Sequence, residues 1–254
     1  MKKLFVCALT CLVLTGFSQE TDTWRFGIQW GFQGNRAEFA GGMSNANGRF
    51  HQNKFDAGAL NFNARYDLNS HWMGTFGLGF NTFGFQYALA ENYSLYKPKS
   101  RFSDLKTEFT ALDLPLMIHY KFNPNCKKAK WLIGGGISQN FVGAQTASKF
   151  FQVANDGITN SNYLNSVSST SGGGYTMLRF SIAREKVFKR GNILNASLMF
   201  NAGLRKLATS TVKYTVENVE YNHDFKTNGN FVGFRLSYFF RPIKTAPSAK
   251  LVTK

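Results

Sequence analysis

Trp24-Arg25-Phe26-Gly27-Ile28-Gln29-Trp30-Gly31-Phe32 is the stretch that decides the fold, because its side chains alternate strictly between two kinds. The even-numbered residues are large and apolar, and the odd-numbered ones are small or polar. A period of two puts these sets on opposite faces of a β-strand, whereas a helix would mix them. The stretch therefore predicts a strand with one apolar face and one small, polar face.

Seven further segments repeat this pattern along the chain. They cover roughly 58–68, 72–82, 112–122, 130–141, 178–183, 194–205 and 232–240. The clearest, 112–122, sets six apolar residues against a polar set that contains Asp113, His119 and Lys121. Eight strands is an even number, as a single-chain outer-membrane barrel requires. We predict an all-β fold, an eight-stranded antiparallel up-and-down transmembrane β-barrel over residues 19–240.

Residues 1–18 have the features of an exported leader. Lys2 and Lys3 give it a basic start, an apolar stretch follows, and a small-x-small site precedes Gln19. We predict a cleaved secretory signal peptide, too short to be a spanning helix. A lipoprotein anchor at Cys11 is the alternative, although it leaves little apolar core upstream. Cleavage would leave Cys126 alone, so neither an internal disulfide nor a Cys/His metal site is predicted.

Lipid is the expected cover for the apolar faces. An eight-stranded barrel is too narrow inside to hold several large apolar side chains from every strand. A soluble two-sheet sandwich is the alternative, but it would expose a glycine-rich face and unprotected edges. Beyond the leader there is no run of about 18 apolar residues, so no transmembrane helix is predicted. We therefore predict a location in the outer membrane.

Short and long connections alternate between the predicted strands. The short ones lie near 69–71, 123–130 and 186–192, and the long, polar ones cover roughly 34–57, 83–105, 142–174 and 206–229. In outer-membrane barrels short turns face the periplasm and long loops the exterior. Because alternation persists at Val212, Tyr214 and Val216, some of these hairpins are expected to project beyond the membrane. This topology predicts a periplasmic aromatic girdle of Trp24, Tyr66, Trp72, Tyr120, Trp131 and Tyr238.

The polar strand faces are expected to fill the barrel lumen. Their charged members are Arg25, Arg65, Asp67, Asp113, His119, Lys121, Arg179, Arg205 and Arg235. Buried charges are tolerated when they are paired, so we predict a network of cross-strand ion pairs that closes the lumen. Basic residues outnumber acidic ones in this set, so a narrow path for small anions stays open as an alternative.

Charge and histidine placement restrict the possible functions. The mature chain would carry 28 Lys and Arg against 14 Asp and Glu, a net charge of +14. We expect no nucleic-acid partner, because the basic residues are scattered over an exported barrel. Anionic outer-membrane lipid and lipopolysaccharide are the expected counter-charges, with solvated loop charge as the alternative.

No catalytic residue, cofactor site or metal site is predicted. His119 and Asp113 share a face, but six residues along one strand separate them by about 20 Å, too far for a base and its orienting group. A lipid A-modifying enzyme is the less favoured alternative.

The fourth strand, Leu112 to Phe122 with Ala111 before it, resembles the "Leu-acid-apolar-Pro-Leu…Tyr-Lys-Phe" strand of the PorT-like outer-membrane β-barrel proteins of Bacteroidetes. The Gly134-Gly135-Gly136 strand and the closing stretch from Gly233 to Phe240 look similar too. The resemblance implies a barrel with no catalytic residues, in a family that has members linked to secretion of surface proteins.

Residues 241–254 follow the last strand as a basic segment with two prolines. We predict a disordered periplasmic tail, with a tether to peptidoglycan or to a secretion partner as the alternative. For the whole protein we expect a structural or interaction role, through its surface loops or within an envelope or secretion complex. A narrow pore is the alternative.

Overall fold

The computed structural model describes residues 24–35, 38–39, 50–53, 55–90, 102–122, 129–153, 162–216 and 219–241. The strands within these ranges are β1 Trp24–Asn35, β2 Glu38–Phe39, β3 Phe50–Asn53, β4 Phe55–Asp67, β5 Trp72–Ala90, β6 Phe102–Phe122, β7 Lys130–Val153, β8 Asn162–Val187, β9 Ile193–Gly203, β10 Ala208–Val216, β11 Val219–Thr227 and β12 Phe231–Phe239. Among the described residues, no helix is long and apolar enough to cross a membrane. The predicted leader, Cys126 and the tail beyond Arg241 lie outside the described residues.

Eight of these strands close into an antiparallel barrel in the order β1-β4-β5-β6-β7-β8-β9-β12. The predicted fold is confirmed. The path of paired residues around the barrel begins at Arg25 on β1, which pairs with Arg65. It continues from strand to strand as far as Phe231 on β12, which pairs with Asn35, again on β1. The register therefore shifts by ten residues over one circuit, from Arg25 to Asn35. Such a stagger tilts the strands by about 40° to the barrel axis.

A belt of exposed apolar side chains surrounds the barrel. Phe32 and Phe62 are 59% and 58% exposed, and all four tryptophans face outward. Intervening residues on the same strands, such as Asn61 and Arg235, are buried in the lumen. A continuous apolar belt on a closed antiparallel barrel is the architecture that spans the bacterial outer membrane. The predicted location in the outer membrane is confirmed.

Tight turns join strands at one end of the barrel. The Asn69 side-chain carbonyl accepts the backbone N–H groups of His71 and Trp72, both at 2.8 Å, which closes the β4–β5 turn. Between β8 and β9, Gly191 has a φ of 83°, and Arg25 donates to its carbonyl at 2.6 Å. The six predicted girdle aromatics lie at this end on the outer face, with Trp24 4.8 Å from Tyr66 between ring centres. Short turns mark the periplasmic end.

The opposite end contains more strand than the sequence predicted, although the hairpin expected to project at Val212, Tyr214 and Val216 is present. The described parts of the gaps 83–105, 142–174 and 206–229 consist largely of strand, because β5, β6, β7 and β8 continue well past the belt and β10 and β11 form a further hairpin. These strands are 19, 21, 24 and 26 residues long, whereas crossing the membrane takes about 9–11. The surplus forms an extracellular extension.

Two sheets pack together in this extension, which we call the cap. One consists of β3, β5 and β6, and the other of β2, β11, β10, β8 and β7. Between them lies an apolar cluster that contains Phe83, Phe85, Tyr87, Leu105, Phe109, Ala111, Val142, Leu164, Tyr175, Met177, Leu207, Ala208, Val212, Tyr214 and Phe225. Ring centres are 5.0 Å apart for Tyr87 and Phe225, which come from different sheets. The cap therefore has a hydrophobic core of its own above the polar lumen.

The face that carries apolar residues changes at the base of the cap. On β5, the outward residues Phe76, Leu78 and Phe80 give way above to the inward residues Phe83 and Phe85. Strand β6 changes in the same way, from outward Leu112 and Leu114 to inward Ala111 and Phe109. The backbone alternation continues without a break while the environment outside changes from lipid to water. This polarity inversion marks the outer boundary of the membrane.

Candidate functional site

An ion cluster fills the periplasmic end of the lumen. Arg65 reaches across the barrel from β4 to β8, where its Nη1 lies 2.5 Å from Glu185 Oε2. The same guanidinium contacts Asp67 at 2.8 Å, and Lys121 contacts Asp67 at 2.7 Å. Arg25 lies 3.6 Å from the other Asp67 oxygen. Three cations thus share two carboxylates and span the full width of the barrel.

A second charged group lies in the middle of the lumen. Arg179 Nη2 donates to both oxygens of Asp113 at 2.7 Å, and both side chains are fully buried. Ser138 donates to the same carboxylate, and Asn140 donates to Ser138 at 2.9 Å. Hydrogen-bonded and paired in this way, the buried carboxylate is tolerated.

Arg235 continues this network toward the cap. Its Nη2 donates to Gln33 Oε1 at 2.8 Å and to Asn81 Oδ1 at 3.1 Å. Asn81 in turn is 3.5 Å from Asn140, which joins the two groups into one polar chain across the lumen. Among the described residues, no carboxylate lies within ion-pair distance of Arg235, so amide oxygens and the Phe231 ring, 5.6 Å away, face its charge.

A small cavity of about 30 Å³ lies between the ion cluster and this polar chain. Four buried polar atoms on its walls have no hydrogen-bond partner among the described residues: His119 Nδ1, Arg179 Nη1, Ser181 Oγ and Asn195 Oδ1. A cavity of this size holds one or two water molecules, which would satisfy these atoms.

Inward-facing glycines make room for the large polar side chains. Gly134 pairs across strands with His119, and a Cβ at this glycine would meet the imidazole ring. Gly31 pairs with Arg235 and would collide with its side chain and with backbone. The small, polar strand faces seen in the sequence are therefore packed surfaces that fit one another across the strands.

Eight of the nine predicted lumen residues lie in the lumen: Arg25, Arg65, Asp67, Asp113, His119, Lys121, Arg179 and Arg235. Arg205 does not, and that prediction is wrong. β9 ends at Gly203, and Arg205 is exposed and donates to the Gly174 carbonyl. His119 and Asp113 are not hydrogen-bonded to each other, since Asp113 bonds Arg179 and Ser138.

Glu185 is the charged lumen residue that the sequence analysis missed. We ended the sixth strand at Ala183, whereas β8 continues to Val187. The alternation of Arg179, Ser181 and Ala183 extends to Glu185 on the same face, and this signal could have identified it.

The cap core also holds polar groups. Burial raises the pKa of Tyr87, which a hydrogen bond with Ser210 partly offsets. Tyr214 Oη lies 3.1 Å from His223 Nε2, and burial lowers the pKa of that imidazole. Ser168 donates to Ser210 at 2.7 Å, so hydroxyls link β8 to β10 inside the cap.

One edge of the cap differs from the rest. Pairing between β6 and β7 runs from Phe122 and Trp131 up to Ala111 and Val142, and then stops. Above this point β7 pairs with β8 on one side only within the described residues. Its residues 143–146 and 148–150 are exposed on both faces, and Phe150 is 62% exposed. We call residues 143–150 the β7 edge.

No protein-family model and no curated protein matches this chain. Solved structures with a similar backbone fold include a major outer membrane protein from Thermus thermophilus, which has 17% identity and a TM-score of 0.42. The match covers 85% of this chain and 98% of that chain. OprG from Pseudomonas aeruginosa has 9% identity and a TM-score of 0.43, over 87% and 97% of the two chains. Neisserial surface protein A has 15% identity and a TM-score of 0.39, over 85% and 97%. Similarity at this level transfers no function.

Proposed function

We propose that this protein is a non-conducting outer-membrane barrel whose cap binds an extended segment of another surface or secreted protein along the β7 edge. The observation that carries the proposal is this edge itself. Strand addition to an open sheet edge is a general mode of peptide recognition, in which backbone hydrogen bonds provide the affinity.

The composition of the β7 edge supports binding. Native sheets protect free edges with charges, prolines or bulges, because an unpaired backbone recruits other strands. Residues 143–148 are Gly, Ala, Gln, Thr, Ala and Ser, with no charge or proline until Lys149. Small, neutral side chains exposed on both faces would let a partner strand approach closely.

The lumen supports the non-conducting part of the proposal. Ion pairs fill its periplasmic end, a hydrogen-bonded chain crosses its centre and an apolar cluster covers its extracellular end. A narrow anion pore would need these groups to separate. Buried ion pairs resist separation, since each partner left alone is an uncompensated charge.

Membership of the PorT-like group belongs to the same proposal. It rests on the strand from Leu112 to Phe122, and it would supply a class of partner, since some members are linked to secretion of surface proteins. Contact with lipopolysaccharide through the positive charge of the chain is likewise part of this proposal.

Site-specific photo-crosslinking in native envelopes tests the β7 edge. A photoreactive phenylalanine analogue at position 146 is expected to capture a protein partner that mass spectrometry identifies. The control probe is at position 213, on β10, which is paired on both sides. Ala144→Lys is expected to reduce the adduct about tenfold, because a charge blocks edge pairing. Thr211→Lys adds the same charge next to Asp224 on a fully paired strand and should leave it unchanged.

Equal adducts at positions 146 and 213, or no adduct at 146 in envelopes where the barrel is folded, would refute edge binding. Loss of the adduct with both lysine variants would indicate a general charge effect and would also contradict it.

A further inference from the structure

We propose that the outer wall of the barrel carries a binding site for the phosphate group of a glycerophospholipid at the periplasmic end of β8 and β9. Arg184 and Lys186 form it. This inference is independent of the proposed function, because the site lies on the lipid-facing side and at the other end of the molecule.

The two cations occupy an unusual position. In the described part of the eight barrel strands below the polarity inversion, they are the only Lys or Arg side chains on the outward face. Below the inversion, the other described lysines and arginines of these strands point into the lumen, apart from Lys130 at the start of β7. Charged side chains on the lipid face are costly in hydrocarbon and are tolerated near the interfaces. A pair of them on neighbouring outward positions calls for a counter-charge.

Aromatic rings position both cations. The Arg184 guanidinium lies 5.8 Å from the centre of the Trp131 ring, and Lys186 Nζ lies 5.7 Å from the centre of the Phe188 ring. Trp131 belongs to the periplasmic girdle, so both charges sit at the level of the lipid headgroups. Their stems lie along apolar surface while their charged ends face the headgroup region.

A depression beside these cations could receive the lipid. Its volume is about 520 Å³, and it is lined by Ala129, Arg184, Glu185, Lys186, Val187, Leu194 and Ala196. The Glu185 carboxylate is buried and paired with Arg65 in the lumen, so it does not face a lipid on the outer wall. Ala196 pairs with Arg184 on one side and with Leu236 on the other, so a small side chain interrupts the bulky belt here. Leu194 pairs with Lys186 and Tyr238, which places a second girdle aromatic on the far side.

The donor set selects a phosphate. A guanidinium offers two parallel N–H donors to an oxyanion, and an ammonium adds a compact charge. The apolar groove next to them fits the first carbons of an acyl chain. Because the short turns place this end in the periplasm, the phosphate comes from a lipid of the periplasmic leaflet and not from lipid A in the outer leaflet.

Native mass spectrometry of the full chain released from detergent tests the site. The probes are phosphatidylglycerol and, as a lipid without phosphate, monogalactosyl diacylglycerol. We expect one retained phosphatidylglycerol and a preference of about tenfold over the galactolipid. The variant Arg184→Gln/Lys186→Gln should abolish this preference. Lys189→Gln/Arg190→Gln removes the same charge from the adjacent exposed turn and should keep it within about twofold.

Equal retention of both lipids by the unmodified protein would overturn the proposal without any variant. Equal loss in both double variants would also overturn it, since the effect would then come from net charge. Heat-modifiable gel mobility verifies that each variant is folded.

Discussion

Single side chains in the lumen depend on partners that are distant in sequence. Arg65 and Glu185 are 120 residues apart and lie on opposite sides of the barrel, yet they form a direct, buried ion pair. Removal of one member leaves a buried charge, which is more costly than the pair is stabilising. The stability of the barrel is therefore sensitive to individual lumen charges.

Glu185→Gln is expected to lower the free energy of unfolding by about 3 kcal/mol, because Arg65 would keep only Asp67, which it shares with Lys121 and Arg25. Urea titration in lipid vesicles, followed by tryptophan fluorescence, measures this change. The control is Glu108→Gln, which removes an exposed carboxylate of the cap beside Lys106 and should change stability by less than about 0.5 kcal/mol. Equal stability of Glu185→Gln and the unmodified protein would contradict the role of the ion cluster.

The neighbouring glycines of β7 provide a second residue-scale experiment. Gly134 faces the His119 ring, whereas a Cβ at Gly135 meets no atom within 4 Å. Gly134→Leu is therefore expected to cost about 1–3 kcal/mol through overpacking. Gly135→Leu adds an apolar side chain toward lipid and should be tolerated. The same urea titration compares the two variants. Equal losses of stability would show that a leucine fits beside His119, contrary to the structure.

At the scale of whole strands, the polarity inversion divides each long strand into a lipid-facing part and a water-facing part. The cap part buries its apolar face against the other sheet, as in a soluble β-sandwich. Its contacts are separate from those of the belt, so it can open locally while the barrel stays closed.

Phe85→Asp is expected to unfold the cap and not the barrel, because Phe85 is 1% exposed within the cap core and lies above the belt. Protease treatment of intact cells should then cut the cap, while heat-modifiable mobility of the membrane part persists. Gln86→Asp changes the adjacent outward position and should remain resistant. Loss of heat-modifiability in Phe85→Asp would show that cap and barrel fold as one unit.

The sequence predicted the belt and the strand number because period-two alternation is local. The continuation of β5 into the cap was missed because the apolar residues change from even positions, ending at Phe80, to odd positions, starting at Phe83. We interpreted the break in phase as the end of a strand, whereas it is the change of solvent. Arg205 was placed wrongly because we continued the inward–outward alternation past Gly203, where β9 ends. The pairing of Arg65 with Glu185 depends on barrel closure, which no local pattern specifies.

At the scale of the whole molecule, the barrel has a lumen filled with polar side chains and a folded structure on its outer end. The lumen cavity of about 30 Å³ is lined by residues of both polar groups, and the cap core lies above them. Ligand recognition, if it follows the proposed mode, takes place on the outside of the cap.

Planar bilayers that contain the purified barrel are expected to show no single-channel conductance at moderate voltage. The variant for comparison is Arg65→Ala/Glu185→Ala, which removes the ion pair that spans the barrel. This change affects only the periplasmic end of the lumen. We expect it to remain silent, because the central chain from Arg235 to Asp113 and the cap core still close the path. Regular current steps in the unmodified protein would refute the sealed barrel and favour the anion pore.

Closure at both ends affects how much of this protein a cell can tolerate. Each open porin adds a leak to the envelope, so the abundance of porins is tied to the uptake of toxic compounds. Under the proposed function, a barrel filled with ion pairs and covered by a hydrophobic core adds binding surface with no such leak. On that proposal, its copy number can follow the demand for a partner, and the impermeability of the envelope to antibiotics sets no upper limit on it.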